Sequence, residues 1–139
     1  MRAGWTTIGR WVAAALILGT GAIHVYLYFD SYRDFPNANL GRSFLLNAAA
    51  CLVVAVLLVV WRHPLALVAA LVVVDATLLA FALSRTSNGI FDFTETGFNP
   101  SPEAALSLVF EIGAAVLLVV LLAAELRGSP RDVAPAPST

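Results

Sequence analysis

Four runs of apolar residues, each long enough to cross a bilayer and separated from the next by polar breaks, leave this chain little choice of fold. At ~1.5 Å of rise per residue, about 20 residues in a helix cross a hydrocarbon core of ~30 Å. Hydrocarbon offers backbone N–H and C=O groups no outside partner, so a spanning segment pairs them internally as a helix or in a closed barrel. The runs are too long and too evenly apolar for barrel strands, which alternate with a period of two. The expectation is an all-α, four-transmembrane-helix bundle.

The first span reads from about Ile8 to Phe29, with Arg10 near its start and His24 as its one interior ionisable group. It exceeds a signal-peptide apolar region, no small-residue cleavage pattern follows, and it is expected to be retained. The second runs from Phe44 to Trp61, with Ser43 as the expected N-cap. Arg62, His63 and Pro64 break the apolar run, and Pro64 suits the first turn of a third span over Leu65 to Leu83. A polar-aromatic loop from Asn88 to Asn99 precedes Ser101 and Pro102, which open the last span, ending near Leu126. Residues 1–126 thus read as a single four-helix transmembrane domain. Residues 127–139, rich in Pro, Ser and Ala, read as a disordered cytoplasmic tail.

Composition removes several classes. The hydrophobic set makes up 60% of the chain and charged residues 12%, far from the balance of a water-soluble domain. A formal net charge of -1 supplies no broad basic surface for nucleic acid. Cys51 is the single cysteine, so neither an intrachain disulfide nor a Cys-rich metal motif is available. No nucleophile triad, phosphate loop or HExxH pattern occurs, and a non-enzymatic role with no metal is expected.

Arginine positions suggest an orientation. Arg2, Arg10, Arg62, Arg127 and Arg131 fall on one side, and Arg33, Arg42 and Arg85 on the other. The positive-inside rule then places the chain in the cell membrane as a multi-pass protein with both termini cytoplasmic and the Asn88–Asn99 loop outside.

Ionisable groups inside spans cost ~2.5 to 3.5 kcal/mol at the membrane centre on insertion scales, and they usually face a bundle interior or cavity. His24, Asp75 and Glu111 are the informative ones, all at middle or outer depth, and Asn47 enters from the outer end of the second span. Helical spacing aligns Thr20, His24 and Tyr28 on one stripe, Ser43, Asn47 and Cys51 on another, and Glu103, Ser107 and Glu111 on a third. The candidate ligand-binding or proton-handling residues are therefore His24, Asp75, Glu111, Asn47 and Tyr28, converging on an outer-half polar cleft. The plainer reading has the same groups hydrogen-bonding between helices, where such contacts contribute about 0.6 kcal/mol each. Gly19, Gly21 and Gly113 read as close helix contacts. Trp5, Trp11 and Trp61 read as an aromatic belt at one interface, and Tyr26, Tyr28, Tyr32, Phe35 and Phe44 at the other. Phe91, Phe93 and Phe98 either fold the outer loop back on the bundle or present it to a membrane partner.

The spans, the His-x-x-x-Tyr pattern of His24 and Tyr28, and Phe-Leu-Leu-Asn at Phe44 to Asn47 resemble small actinobacterial membrane proteins over approximately the first hairpin. In size and topology the chain also resembles small four-helix DoxX-like membrane proteins, some of them linked to quinone-coupled redox chemistry. That resemblance implies a redox-associated or accessory membrane role and transfers no catalytic residue. Two readings stand side by side. One is a structural or accessory protein surrounded by membrane lipids, with a membrane-protein partner or a homo-oligomer. The other is a protein that binds a small apolar or quinone-like ligand, or handles protons, in the outer cleft.

Overall fold

The computed structural model describes residues 2–128; the expected tail from 129 on, with Arg131, lies outside the described residues. The protein is an all-α bundle with four helices long and apolar enough to cross a membrane. Helix α1 spans Arg2–Leu27 and continues through one π-helical turn, Tyr28–Tyr32. Helix α2 spans Ala38–Val60, α3 spans Pro64–Ser84 and α4 spans Glu103–Gly128. Valine and other β-branched residues, abundant in α2 and α3, are modest helix formers in water. An apolar solvent reverses the preference, because a helix satisfies every backbone group within its own segment.

The second helix begins earlier than expected. Asn37, not Ser43, is its N-cap, and its side chain accepts a hydrogen bond from the Asn39 amide at 3.1 Å. Ser43 lies inside the helix, where its hydroxyl donates to the Leu40 carbonyl at 2.6 Å. Gly41 and Arg42, expected before the span, are therefore helical. The α2–α3 connection is as short as the sequence implied, with His63 capping α3 by accepting from the Leu65 amide at 3.2 Å.

The helices form a ring in which α1 and α3 each lie between α2 and α4. Packing differs along its length. Toward the ends marked by Arg10 and Trp61, small and branched residues such as Ala13, Ile17, Leu58, Leu67 and Leu118 interlock into a solid core. Toward the opposite ends, a smaller cluster of Leu27, Tyr32 and Leu40 caps a region that the helices do not fill. The contact between α2 and α3 is the sparsest of the four adjacent pairs.

The solid end carries a buried cation. Arg10 is 4% exposed and makes a two-point contact with the Glu125 carboxylate from α4. Its remaining donors reach the Leu58, Trp61 and His63 carbonyls at 3.3, 3.2 and 3.3 Å. These carbonyls lie at the end of α2 and in the following turn, where a helix leaves acceptors unpaired and its dipole favours positive charge. One side chain thus joins α1, α2 and α4.

Candidate functional site

The unfilled half of the bundle is a cavity of about 350 Å³, within the range of small-ligand pockets. All four helices and the α3–α4 loop contribute to it. Its walls are mostly apolar, and its polar groups are few and separately held.

His24, Asn47 and Glu111 all line this cavity, as the depth argument anticipated. The His24 Nδ1 lies 2.9 Å from the Thr20 carbonyl. A carbonyl only accepts, so Nδ1 carries the proton in the neutral ring and Nε2 keeps a free lone pair. Glu111 is 2% exposed and accepts at Oε1 from the Ser107 hydroxyl one turn earlier, at 2.7 Å. Asn47 Oδ1 and the Val73 carbonyl lie 2.8 and 2.9 Å from the Thr77 hydroxyl, while Asn47 Nδ2 is buried without a partner. Turning the amide over would let Nδ2 donate to Thr77 and leave Oδ1 unpaired. In either orientation Asn47 has one polar atom to spare.

Two expected residues are not part of this arrangement. Asp75 is exposed on the outward face of α3 and does not line the cavity. Residues two apart on a helix point about 200° apart. Since Val73 and Thr77 face the cavity, Asp75 between them faces away. Thr77, beside Asn47, and Ser84 at the end of α3 are the α3 polar groups that reach the site. Tyr28 is half-buried, packs edge-on against Phe29 with centroids 5.0 Å apart, and is also outside the lining. The π turn explains the exchange. With i to i+5 pairing, Leu27 and the residue five later share a face, so Tyr32 instead of Tyr28 turns inward beneath Leu27. Neither His24 nor Glu111 is in an ion pair: among the described residues, Arg10–Glu125 and Arg33–Asp34 are the ion pairs.

Above the polar groups an aromatic series lines the cavity. Phe44 lies between His24 and Tyr32, at centroid distances of 5.2 and 4.6 Å, and Phe93 meets both Tyr32 and Phe35 edge-on. Tyr32, Phe35 and Phe44 thus pack inward, whereas Trp5, Trp11, Trp61 and Tyr26 remain exposed as a belt requires. Only Phe93 of the three loop phenylalanines folds back; Phe91 and Phe98 are exposed.

The loop is held in place by specific contacts. Ile90 and Phe93 exchange two backbone hydrogen bonds of 2.9 Å around Phe91 and Asp92, both at positive φ. This is the tight hairpin geometry that ordinarily favours Gly or Asn, and it turns Phe93 toward the bundle. Asp92 accepts from the Asn37 side chain at 2.8 Å, tying the turn to the start of α2. Arg85 lies over the Phe81 ring and donates to the Gly97 and Asn99 carbonyls at 3.2 and 2.7 Å. Burial pushes its guanidinium down from the ordinary value, while the Glu95 carboxylate holds it up.

The cavity opens sideways. Leu46 of α2 and Ala76 of α3 line it yet are exposed, Leu46 at 72%, on the flank where the two helices meet least. In a bilayer that flank faces acyl chains. Among the described residues no group of three His, Cys, Asp or Glu side chains is arranged to hold a metal ion.

The fold and the cavity define a small multi-span membrane protein. No family model, curated protein or solved structure matches the chain.

Proposed function

We propose that this protein binds a small lipid-soluble molecule with a polar head, quinone-like in build, in the outer half of the cell membrane. The observation that carries the reading is the cavity itself: apolar walls, an aromatic roof, and at its polar end His24 Nε2, Glu111 and one amide atom of Asn47 free to meet a ligand. A bundle built only for packing would fill such a space, because each unfilled volume forfeits dispersion contacts. The gap between α2 and α3 supplies an entrance from the lipid, so the ligand's apolar part never has to cross water. A quinone head would accept from the Asn47 amide, and the O–H of the corresponding quinol would donate to His24 Nε2 or to Glu111. A purely accessory, structural role leaves the cavity and its spare polar atoms without use.

The test is binding of a short-chain benzoquinone to purified protein in lipid nanodiscs, read by native mass spectrometry. Saturable one-to-one binding is expected, abolished by Ala80→Phe, which fills the cavity wall, and weakened by Asn47→Leu. Binding that is non-saturable, or unchanged in Ala80→Phe, would return the protein to the accessory class.

A further inference from the structure

The outward faces of the four helices are not equivalent. Those of α1, α2 and α4 present apolar side chains through the membrane interior, for example Leu18 and Val25, Leu52 and Val56, Val109 and Val116. The outward face of α3 presents Leu65, Val68, Val72 and Leu79, and at its centre Asp75. Asp75 is twelfth in a helix of 21 residues, so it sits near mid-membrane, and it has no hydrogen bond or ion pair among the described residues. Lipid cannot satisfy a carboxyl group at that depth.

We infer that two copies of this chain pair through the outward faces of α3, with the two Asp75 side chains meeting at the symmetry axis. Membrane insertion fixes the direction of α3, so copies of one orientation meet with their α3 helices parallel. A two-fold axis along the membrane normal then brings each residue near that axis to the depth of its own counterpart. Asp75 meets Asp75, and a carboxyl pair is self-complementary, one O–H donating to an oxygen of the other. Val72 and Leu79 lie one turn either side on the same face and supply the apolar flanks, while the small, exposed Ala82 lets the backbones approach. The cavity-lining face, through Val73, Thr77 and Ala80, is turned away from this seam. Pairing therefore leaves the ligand site intact and does not depend on it.

The experiment is oxidative cross-linking of single cysteines in a Cys51→Ser background, in dilute proteoliposomes. Val72→Cys and Leu79→Cys are expected to give disulfide-linked dimers, whereas Val53→Cys and Val116→Cys, at similar depth on α2 and α4, are not. Adding Asp75→Leu should lower the dimerisation constant, read from the cross-linked fraction across a protein-to-lipid dilution series, by about three- to twenty-fold, the range of one interhelical polar contact in a membrane. Asp75→Asn should retain it, since paired amides donate and accept in turn. Because Asp75 lies outside the packed interior, both variants should keep the circular dichroism and thermal unfolding of the parent. Equal cross-linking on all faces, a dimer indifferent to Asp75→Leu, or a wild-type monomer would overturn the proposal; the last would leave the face to a helix from another protein.

Discussion

The Arg10 guanidinium meets the Glu125 carboxylate edge to edge, Nε 3.0 Å from Oε1 and Nη2 3.0 Å from Oε2, across residues 115 positions apart in the chain. The pair closes the ring of helices at the solid end, and its partners are unequal. Arg10 also satisfies three carbonyls at the end of α2 and the turn beyond.

Removing Arg10 should therefore cost more than removing its charge partner. Arg10→Met is expected to destabilise the bundle by about 3 kcal/mol, as it breaks a buried ion pair and takes the donor from three carbonyls at once. Glu125→Gln should cost about 1 kcal/mol, because the amide oxygen still accepts and the carbonyl contacts persist. Unfolding of the detergent-solubilised variants by increasing denaturing detergent measures both. Equal losses would show that the carbonyl contacts contribute nothing.

Two glycines should respond oppositely to alanine. A Cβ on Gly41 would lie 2.7 Å from the Tyr32 carbonyl oxygen, a backbone atom of the π turn that cannot swing aside. A Cβ on Gly113 would meet only a methyl group of Leu16 at 3.6 Å, an ordinary contact. Gly41→Ala should destabilise by about 2 kcal/mol and loosen Tyr32, whereas Gly113→Ala should be neutral or stabilising by up to ~1 kcal/mol through helix propensity. Thermal melting compares them directly, and hydrogen exchange at the π turn reports the local effect.

Orientation follows from the two ends that the structure separates. Among the described residues Arg2, Arg10, Arg62 and Arg127 belong to the solid end and Arg33, Arg42 and Arg85 to the cavity end. With more Arg at the solid end, the cavity should face outward. Asn88→Cys in a Cys51→Ser background should label with a membrane-impermeant maleimide added to intact cells. Labelling only after the membrane is breached would invert the topology.

The fold was legible in the sequence because the bilayer makes the problem local. Length and hydropathy decide whether a segment spans, and insertion leaves it no alternative to helix. Depth was legible too, since it is a count along each span; this is why His24, Asn47 and Glu111 were found together. Rotation about the helix axes was not. In water a polar stripe marks the outside of a helix, but in lipid both the core-facing and the outward sides are apolar, and the stripe that would distinguish Thr77 from Asp75 is missing. The close approaches at Gly21 and Gly41, and the jammed small residues of the core, set those rotations only once the helices meet. A single π turn then exchanged Tyr28 for Tyr32, and the carbonyls at the end of α2 together with the Glu125 carboxylate, all distant from Arg10 in the chain, turned it from a flanking charge into a buried clamp. The sequence determined which segments cross and how deep each polar group lies; only tertiary packing decided which of those groups face one another, because azimuth is a property of neighbours and not of a single helix.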